Sequence, residues 1–252
     1  MIPAPLITAL REARHVLVFT GAGVSAESGI ATFRDALTGL WERFDPAALA
    51  TADAFRRDPA LVWGWYEWRR MQVLQAQPNP AHQAIAALAQ HVAKLTLVTQ
   101  NVDDLHERAG SREVIHLHGS LHQPRCFACA RTPGEPLGMP DEPEGGRRLE
   151  PPHCLHCGGK LRPGVVWFGE SLPTQALNAA FDAAAECDVL ISIGTSGVVY
   201  PAAEVPERAW RAGAVLVHIN LQPVGNHAER EYLLRGAAAE QLPALLHAAF
   251  AD

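Results

Sequence analysis

An α/β fold, with a parallel sheet covered by helices on both faces, is predicted by three observations. Short β-rich segments recur at His15–Thr20, Leu95–Thr99, Val114–Leu117, Val165–Phe168, Val189–Ile193 and Val215–Ile219, six in all. Alanine-rich helical patterns lie between most of them, as at Ala81–His91, Thr174–Glu186 and Val205–Ala212. Strands that alternate with helices form a parallel sheet buried on both faces. The third observation is polar: Gly21-Ala-Gly, Gln100-Asn-Val-Asp103, His118-Gly-Ser120, Gly194-Thr-Ser196 and Asn220-Leu-Gln222 each follow one of the segments. Open parallel sheets bind ligands just outside the carboxyl ends of their strands, so these clusters predict one binding edge. Turn chemistry explains any one of them but not a histidine and an aspartate joined to the same edge.

The first segment, His15-Val-Leu-Val-Phe-Thr20, is apolar almost throughout, as a strand buried on both faces must be. It runs directly into Gly21-Ala-Gly-Val-Ser-Ala26, which fits G-x-G-x-x-G/A. Small residues there allow a tight turn and let backbone N–H groups approach a pyrophosphate. In an ordinary dinucleotide fold a second strand follows, with an acidic residue about 20 positions on. Here Ser28-Gly29 and Ala31-Thr-Phe-Arg-Asp35 come next, and Trp41-Glu-Arg-Phe-Asp-Pro46 does not read as a strand. The loop is therefore long and carries its own aromatic and guanidinium, Phe33 and Arg34.

Two stretches interrupt the alternation. Asp58–Gln75 reads as a long amphipathic helix rich in tryptophan, on which Tyr66 and Arg69 share one face. By spacing alone these two read as a packing residue and a solvated arginine. The second stretch, Cys126–Cys157, encloses a Pro-, Gly- and acid-rich segment, Thr132–Pro152, that cannot pack a core by itself. Its ends are Cys126-Phe-Ala-Cys129 and Cys154-Leu-His-Cys157. Two such thiolate knuckles can close a tetrahedral site around Zn²⁺, and a complete cysteine set leaves no open position for water. The predicted metal is structural, with His153 and His156 as solvated knuckle residues.

Composition excludes several classes. A chain of 252 residues, 48% hydrophobic, can bury one sizeable core and a small satellite domain. A net charge of −6 gives no general attraction to nucleic acid or anionic membrane. A zinc-ribbon nucleic-acid binder would be far more basic than a module with Asp141-Glu-Pro-Glu144 and only Arg147 and Arg148 nearby. No apolar run approaches the roughly 20 residues needed to span a bilayer, and the first residues do not read as a signal peptide. Together with five cysteines arranged for metal rather than disulfides, this predicts a cytoplasmic protein. Cys187, beside an apolar run, reads as an inert buried thiol.

Taken together, Gly21–Arg34, Thr99-Gln-Asn-Val-Asp103, His118-Gly-Ser120, the four cysteines, Val166-Trp-Phe-Gly-Glu170, Gly194-Thr-Ser196 and Asn220 resemble the sirtuin family, in the family's order and over nearly the whole chain. The resemblance implies NAD-dependent removal of acyl groups from protein lysines, releasing nicotinamide and O-acyl-ADP-ribose. It implies a Rossmann-like domain of residues 1–45, 80–121 and 164–252. A small domain would comprise a helical insertion at 46–79 and a zinc ribbon at 122–163. His118 would be the general base and would act with Asn101, an imidazole being suited to proton transfer at neutral pH.

The remaining roles are carried over residue by residue. Gly21, Ala22, Gly23 and Ser25 would face the phosphates and nearby ribose, with Phe33 over the reactive ribose and Arg34 over the cofactor. Gln100, Asn101, Val102 and Asp103 would hold the nicotinamide ribose and amide. Gly194, Thr195, Ser196, Asn220, Leu221, Gln222 and Ala238 would hold the distal phosphate and adenosine. Gln222 stands where many members carry glutamate, and its amide oxygen accepts from a ribose hydroxyl without charge assistance. Val166, Phe168 and Gly169 look like the edge where an extended peptide adds as a strand. Tyr66-x-x-Arg69 resembles the class III pattern that accepts succinyl, malonyl or glutaryl lysine as well as acetyl. The chain is expected to act as a monomer. Two other functions fit the same residues less well: ADP-ribosyl transfer to protein, and a non-enzymatic zinc scaffold, which would not need the polar strand ends.

Overall fold

A six-stranded parallel sheet runs through the computed structural model, which describes residues 2–31, 45–143, 145–225 and 229–251. The strands are β1 (His15–Thr20), β2 (Lys94–Thr99), β3 (Ile115–His116), β4 (Gly119–Cys126), β5 (Leu161–Val165), β6 (Val189–Ile193), β7 (Val215–Asn220) and β8 (Glu231–Arg235). The helices are α1 (Ala4–Glu12), α2 (Pro46–Leu49), α3 (Ala52–Arg57), α4 (Pro59–Gln75), α5 (Pro80–Leu88), α6 (Leu105–Arg108), α7 (Thr174–Glu186), α8 (Glu204–Ala212) and α9 (Ala238–Phe250). The main sheet has the order β3-β2-β1-β6-β7-β8, and β4 and β5 form a separate antiparallel pair. Successive strands move outward from β1 on one side and from β6 on the other. The carboxyl ends of β1 and β6 therefore flank a topological switch point, where open sheets leave a crevice for ligands. Phe33 and Arg34 lie outside the described residues.

The apolar run of β1 divides its side chains between two cores. Val16 and Val18 join α1, α5 and α9 on one face, with Leu6, Leu10, Ile85, Leu242 and Leu245. Leu17 and Phe19 join α7 and α8 on the other, with Ala180, Ala184, Val205 and Ala209. This period of two within the apolar Val16–Phe19 run is what two covered faces require.

The expected strand at Val165–Phe168 is corrected. Leu161–Val165 pairs with β4 outside the main sheet, and Phe168 makes only a single bridge, to Thr51. Pro163, which lacks an N–H, and Gly164 suit a short two-stranded ribbon, not the middle of a parallel sheet. The sixth strand is β8 instead, parallel to β7 at the sheet edge. Its Glu-Tyr-Leu-Leu-Arg sequence carries charge at both ends because an edge strand is half covered.

A third core gathers α4 with Leu49, Phe55, Leu121, Leu161, Val165 and Trp167, and includes Cys126 and Cys154. Helix α4 is N-capped by Asp58, whose carboxylate accepts from Leu61 N–H at 3.1 Å, with Pro59 at the first position. Contrary to the amphipathic expectation, it is buried nearly all round. Leu149 N–H bonds Ala60 O at 3.0 Å, so the 147–149 segment crosses the first turns of the helix. Gly64 permits this approach, since an added Cβ would lie 2.0 Å from Arg147 O. The two charges buried on this helix, Glu67 and Arg70, pair in two-pronged fashion at 2.7 and 3.1 Å, and Arg70 also donates to Gly138 O. Among the described residues no helix is long and apolar enough to cross a membrane.

Candidate active site

The glycine turn closes the end of β1 against the end of β6. It forms two 3-10 turns, Ala22–Val24 and Ala26–Ser28, instead of opening an α-helix. Gly21 N–H bonds Ile193 O at 2.9 Å and Gly23 N–H bonds Gly194 O at 3.0 Å. These two N–H groups are thus used within the chain, not left for a pyrophosphate. The small residues serve close approach of two loops: a Cβ on Gly23 would lie 2.6 Å from Gly194 Cα, and one on Gly194 would lie 2.5 Å from Val24 N. Gly194 also has φ +61°, a region that disfavours side chains. Next to it, Asn220 donates from Nδ2 to Thr195 O at 2.7 Å, and Ser196, Leu221 and Gln222 are exposed. Ala238 is buried at the start of α9, where Glu27 of the glycine loop accepts from Ala239 N–H at 2.9 Å.

Beneath the turn lies a buried polar network. Ser25, only 1% exposed, is turned inward: its hydroxyl donates to Asp103 Oδ2 at 3.0 Å and accepts from Asn101 Nδ2 at 3.1 Å. His82 reaches the same hydroxyl through Nε2 at 3.4 Å while its Nδ1 accepts from Asn79 N–H at 3.3 Å, closing a capping box on α5. Asn101 N–H and Thr20 Oγ1 both bond Thr99 Oγ1, at 3.0 and 2.8 Å, and His106 Nε2 bonds Thr20 Oγ1 at 2.9 Å. Asp103 also accepts from Leu105 N–H, yet burial pushes its carboxyl above the usual range.

Burial lowers His82 to about 4, and burial followed by the charges of His82 and His106's other neighbour, His116, lowers His106 to about 3. The unfolded chain therefore binds protons below about pH 6.5 that the folded chain refuses until far lower. Stability should fall as the pH drops through that window, and the loss ends only near these folded values. Urea melts at pH 7.5 and 5 check this: the midpoint should be lower at pH 5, and the drop should shrink in His106→Asn. Equal midpoints would mean that the buried rings protonate freely.

His118 follows β3 and is half-buried. Its Nδ1 lies 2.9 Å from Gln100 O, an atom that can only accept, so Nδ1 carries the hydrogen and Nε2 holds a lone pair in the neutral ring. Burial lowers its pKa, opposed by the bond to Gln100. His116 differs: Nδ1 faces Asn101 O at 3.2 Å and Nε2 faces Glu107 Oε1 at 2.6 Å. Burial lowers its pKa, but the bond and charge of Glu107 outweigh it, and the net shift is upward. The two rings thus differ: both nitrogens of His116 face an acceptor, whereas only Nδ1 of His118 does.

Tyr66 and Arg69 stand beside this edge. Tyr66 is 3% exposed and accepts from Trp167 Nε1–H at 3.1 Å. Burial, opposed by Arg69, pushes its phenol up to about 12. The Arg69 guanidinium lies 5.1 Å from the Trp65 ring and 5.9 Å from the Tyr66 ring, and its charge is felt by both Tyr66 and Asp103. Arg69 is thus neither a freely solvated arginine nor remote from the Asn101–Asp103 loop. Val102 meets the same region through its carbonyl, which accepts from Leu121 N–H at 2.9 Å.

Val166 N–H bonds His118 O at 2.9 Å and Phe168 N–H bonds Ala50 O at 3.0 Å, so both donors of the expected peptide edge are already engaged. Gly169 turns the chain with φ +83°, and the Phe168 ring is 52% exposed.

The four cysteines Cys126, Cys129, Cys154 and Cys157 meet at one point, with all sulfur atoms within 4.8 Å of one another. Ala128 and Cys129 N–H groups point at Cys126 Sγ, each at 3.4 Å, as donors that stabilise a thiolate. The cage could hold a structural Zn²⁺. Cys187, in the core that packs α7 and α8 on the main sheet, is a buried thiol pushed up to about 12 by burial.

The sequence does not single out His82, His106 or Arg162, and Trp167 and Glu170 enter only within Val166–Glu170, without a role for either. The Asn79-Pro-Ala-His82 capping box was a legible local signal for the first. Trp167 offered none, since its partner Tyr66 is distant in sequence.

The Sir2 family model matches residues 21–201. NAD-dependent protein deacylase 1 of Pseudomonas aeruginosa is 64% identical over 245 residues, covering 97% of this chain and 98% of the relative. Among solved structures, a Sir2 homolog–NAD complex shares 44% identity and a TM-score of 0.86, covering 99% of this chain and 94% of that one. A Sir2–p53 peptide–NAD+ complex shares 30% identity and a TM-score of 0.82, covering 98% of each chain. With a family model over most of its length and relatives this similar end to end, the chain belongs to the Sir2 family.

Proposed function

We propose that this chain is an NAD-dependent protein-lysine deacylase that removes acetyl groups and acyl groups ending in a carboxylate, such as succinyl and malonyl, as a cytoplasmic monomer. The observation that carries the reading is His118, whose Nδ1 is committed to Gln100 O and whose Nε2 is left as a base just past the carboxyl end of β3.

The residues at the crevice suit NAD. Among the nucleotide candidates in the described residues Asp103 is the one carboxylate, and it is buried and hydrogen-bonded. Gln100, Ser196, Asn220 and Gln222 present neutral amides and a hydroxyl, the chemistry that phosphates and ribose hydroxyls accept. When bound, NAD would supply a ribose carbon that nicotinamide leaves and that the amide oxygen of the acyl-lysine attacks, and a neighbouring ribose hydroxyl whose oxygen takes the acyl group as the lysine amine is released. His118 Nε2 would take a proton from a ribose hydroxyl, and the Ser25–Asn101–Asp103 network would keep Asn101 in place. Val166, Phe168 and Gly169 would border the peptide, with the exposed Phe168 ring as its apolar surface. Residues 46–79 and 122–163 would act as the small domain that carries Tyr66, Arg69 and the zinc cage.

Arg69 with Tyr66 would recognise the acyl carboxylate, a guanidinium being matched to that group. The test is an acyl-peptide panel with NAD, read by nicotinamide release. Arg69→Met should reduce kcat/KM for succinyl-lysine peptide by roughly 10–100-fold, the worth of a charge-assisted hydrogen bond, and act far less on acetyl-lysine. No nicotinamide release with any acyl peptide would reject the deacylase. A succinyl preference that is absent, or that survives the substitution, would reject the carboxylate site.

A further inference from the structure

We propose that Trp167 is a positioning residue for acyl specificity: it fixes Tyr66 as a hydrogen-bond donor toward acyl chains that end in an acceptor. The inference rests on the carboxylate reading of Tyr66 and Arg69 and extends it to a residue that need not touch the substrate.

The direction of one hydrogen bond carries the argument. An indole N–H can only donate, so at 3.1 Å the Tyr66 oxygen must accept from Trp167. A phenol has one hydrogen and a limited capacity to accept, and that capacity is spent on the indole. Its own hydrogen must then point elsewhere, and at neutral pH the phenol keeps it, because burial holds the group near 12. A ligand atom meeting this hydroxyl meets a donor. A carboxylate satisfies it, whereas a chain ending in an ammonium does not.

Trp167 is fixed from two directions by one ion pair. The Arg162 guanidinium stacks 3.4 Å from its ring centroid and bonds both carboxylate oxygens of Glu170. Glu170 Oε2 in turn accepts from Trp167 N–H at 2.9 Å, and Arg162 donates to Val165 O at 2.8 Å. Ring and backbone are therefore set by the same two side chains. On its other side the Tyr66 ring meets Trp65 edge-on at 4.7 Å, so the hydroxyl cannot swing away from the indole without disturbing α4. An acetyl group has no terminal acceptor beyond its own carbonyl, and the effect of Trp167 should therefore fall on longer acidic chains.

Trp167→Phe keeps the aromatic ring and deletes the N–H. The succinyl-to-acetyl ratio of kcat/KM should fall about tenfold, through KM of the succinyl peptide, and Tyr66→Phe should produce a similar fall. The double substitution should add nothing further, since both remove one donor. A ratio unchanged in Trp167→Phe, or losses that multiply in the double variant, would overturn the inference. Should Trp167→Phe not fold, the Arg69→Met protein is offered lysine peptides whose acyl chains end in a primary ammonium or in a neutral amide. With the arginine charge gone, a committed donor still predicts that the ammonium-ended chain is the poorer substrate; equal turnover would overturn the inference. Loss of the succinyl preference in the unsubstituted protein would remove the premise as well. Retention of that preference with an indifferent Trp167 rejects this inference alone.

Discussion

His118→Tyr should reduce nicotinamide release by roughly 10²–10⁴-fold, the usual contribution of a positioned general base, while the protein stays folded and continues to bind NAD. Folding should survive because the structural bond at this position belongs to the backbone: His118 O accepts from Val166 N–H whatever the side chain. What is lost is Nε2, the lone pair left free once Nδ1 donates to Gln100 O. The pH dependence provides a second check. Burial lowers the His118 pKa below its ordinary 6.5, so the ring is neutral at pH 7 and gains a proton only on acidification. kcat/KM should hold through neutrality and decline as the pH falls through the lowered value, and this acid limb should be missing from any residual activity of the variant. Calorimetry with NAD and steady-state rates test both parts. Activity within a few-fold of the parent would remove His118 from the chemistry.

Zinc removal should have an effect of a different kind. Stripping the metal with a chelator, or replacing Cys126 by serine, should unfold the module around α4 while leaving the parallel sheet. Binding free energies for structural zinc reach about 10–16 kcal/mol, more than a small module gains from its own packing. Cys126 and Cys154 are members of the same buried core as Trp63, Trp65, Trp68 and Trp167, so tryptophan emission should shift to the red as the core opens. Activity should vanish too, although a four-sulfur cage has no position for substrate. The route is β4, which begins at Gly119 beside the base and ends at the first metal ligand, Cys126. Metal analysis, emission spectra and thermal melts would measure this. One zinc per chain whose removal changes neither emission nor melting would show that the cage is not structural.

The sequence made the main sheet and the binding edge legible for physical reasons. His15–Thr20 and Val189–Ile193 are buried on both faces and so carry continuous apolar runs, and polar residues collect where those runs end. Two cysteine pairs identified the cage without knowledge of the fold. What stayed hidden was held by distant contacts. β8 is an edge strand whose mixed residues resemble many loops. Helix α4 looked one-sided because Glu67 and Arg70 are charged, and only their mutual pairing allows them inside. Ser25 sat in a motif associated with phosphate, yet its hydroxyl turns inward because Asn101 and Asp103 arrive from the neighbouring strand. The Trp167–Tyr66 bond has no local pattern at all.

The clasp between Gly23 and Gly194 has a consequence for how such a chain can vary over time. Most packing constraints are negotiable, because a larger residue at one place can be offset by a smaller one opposite. Here each position presses on the main chain of the other, and no exchange of side chains makes room. The two sites therefore have no compensatory path between them. A side chain placed at either position should therefore cost the fold whatever residue stands at the other, and a substitution at one should not be rescued by any substitution at its neighbour.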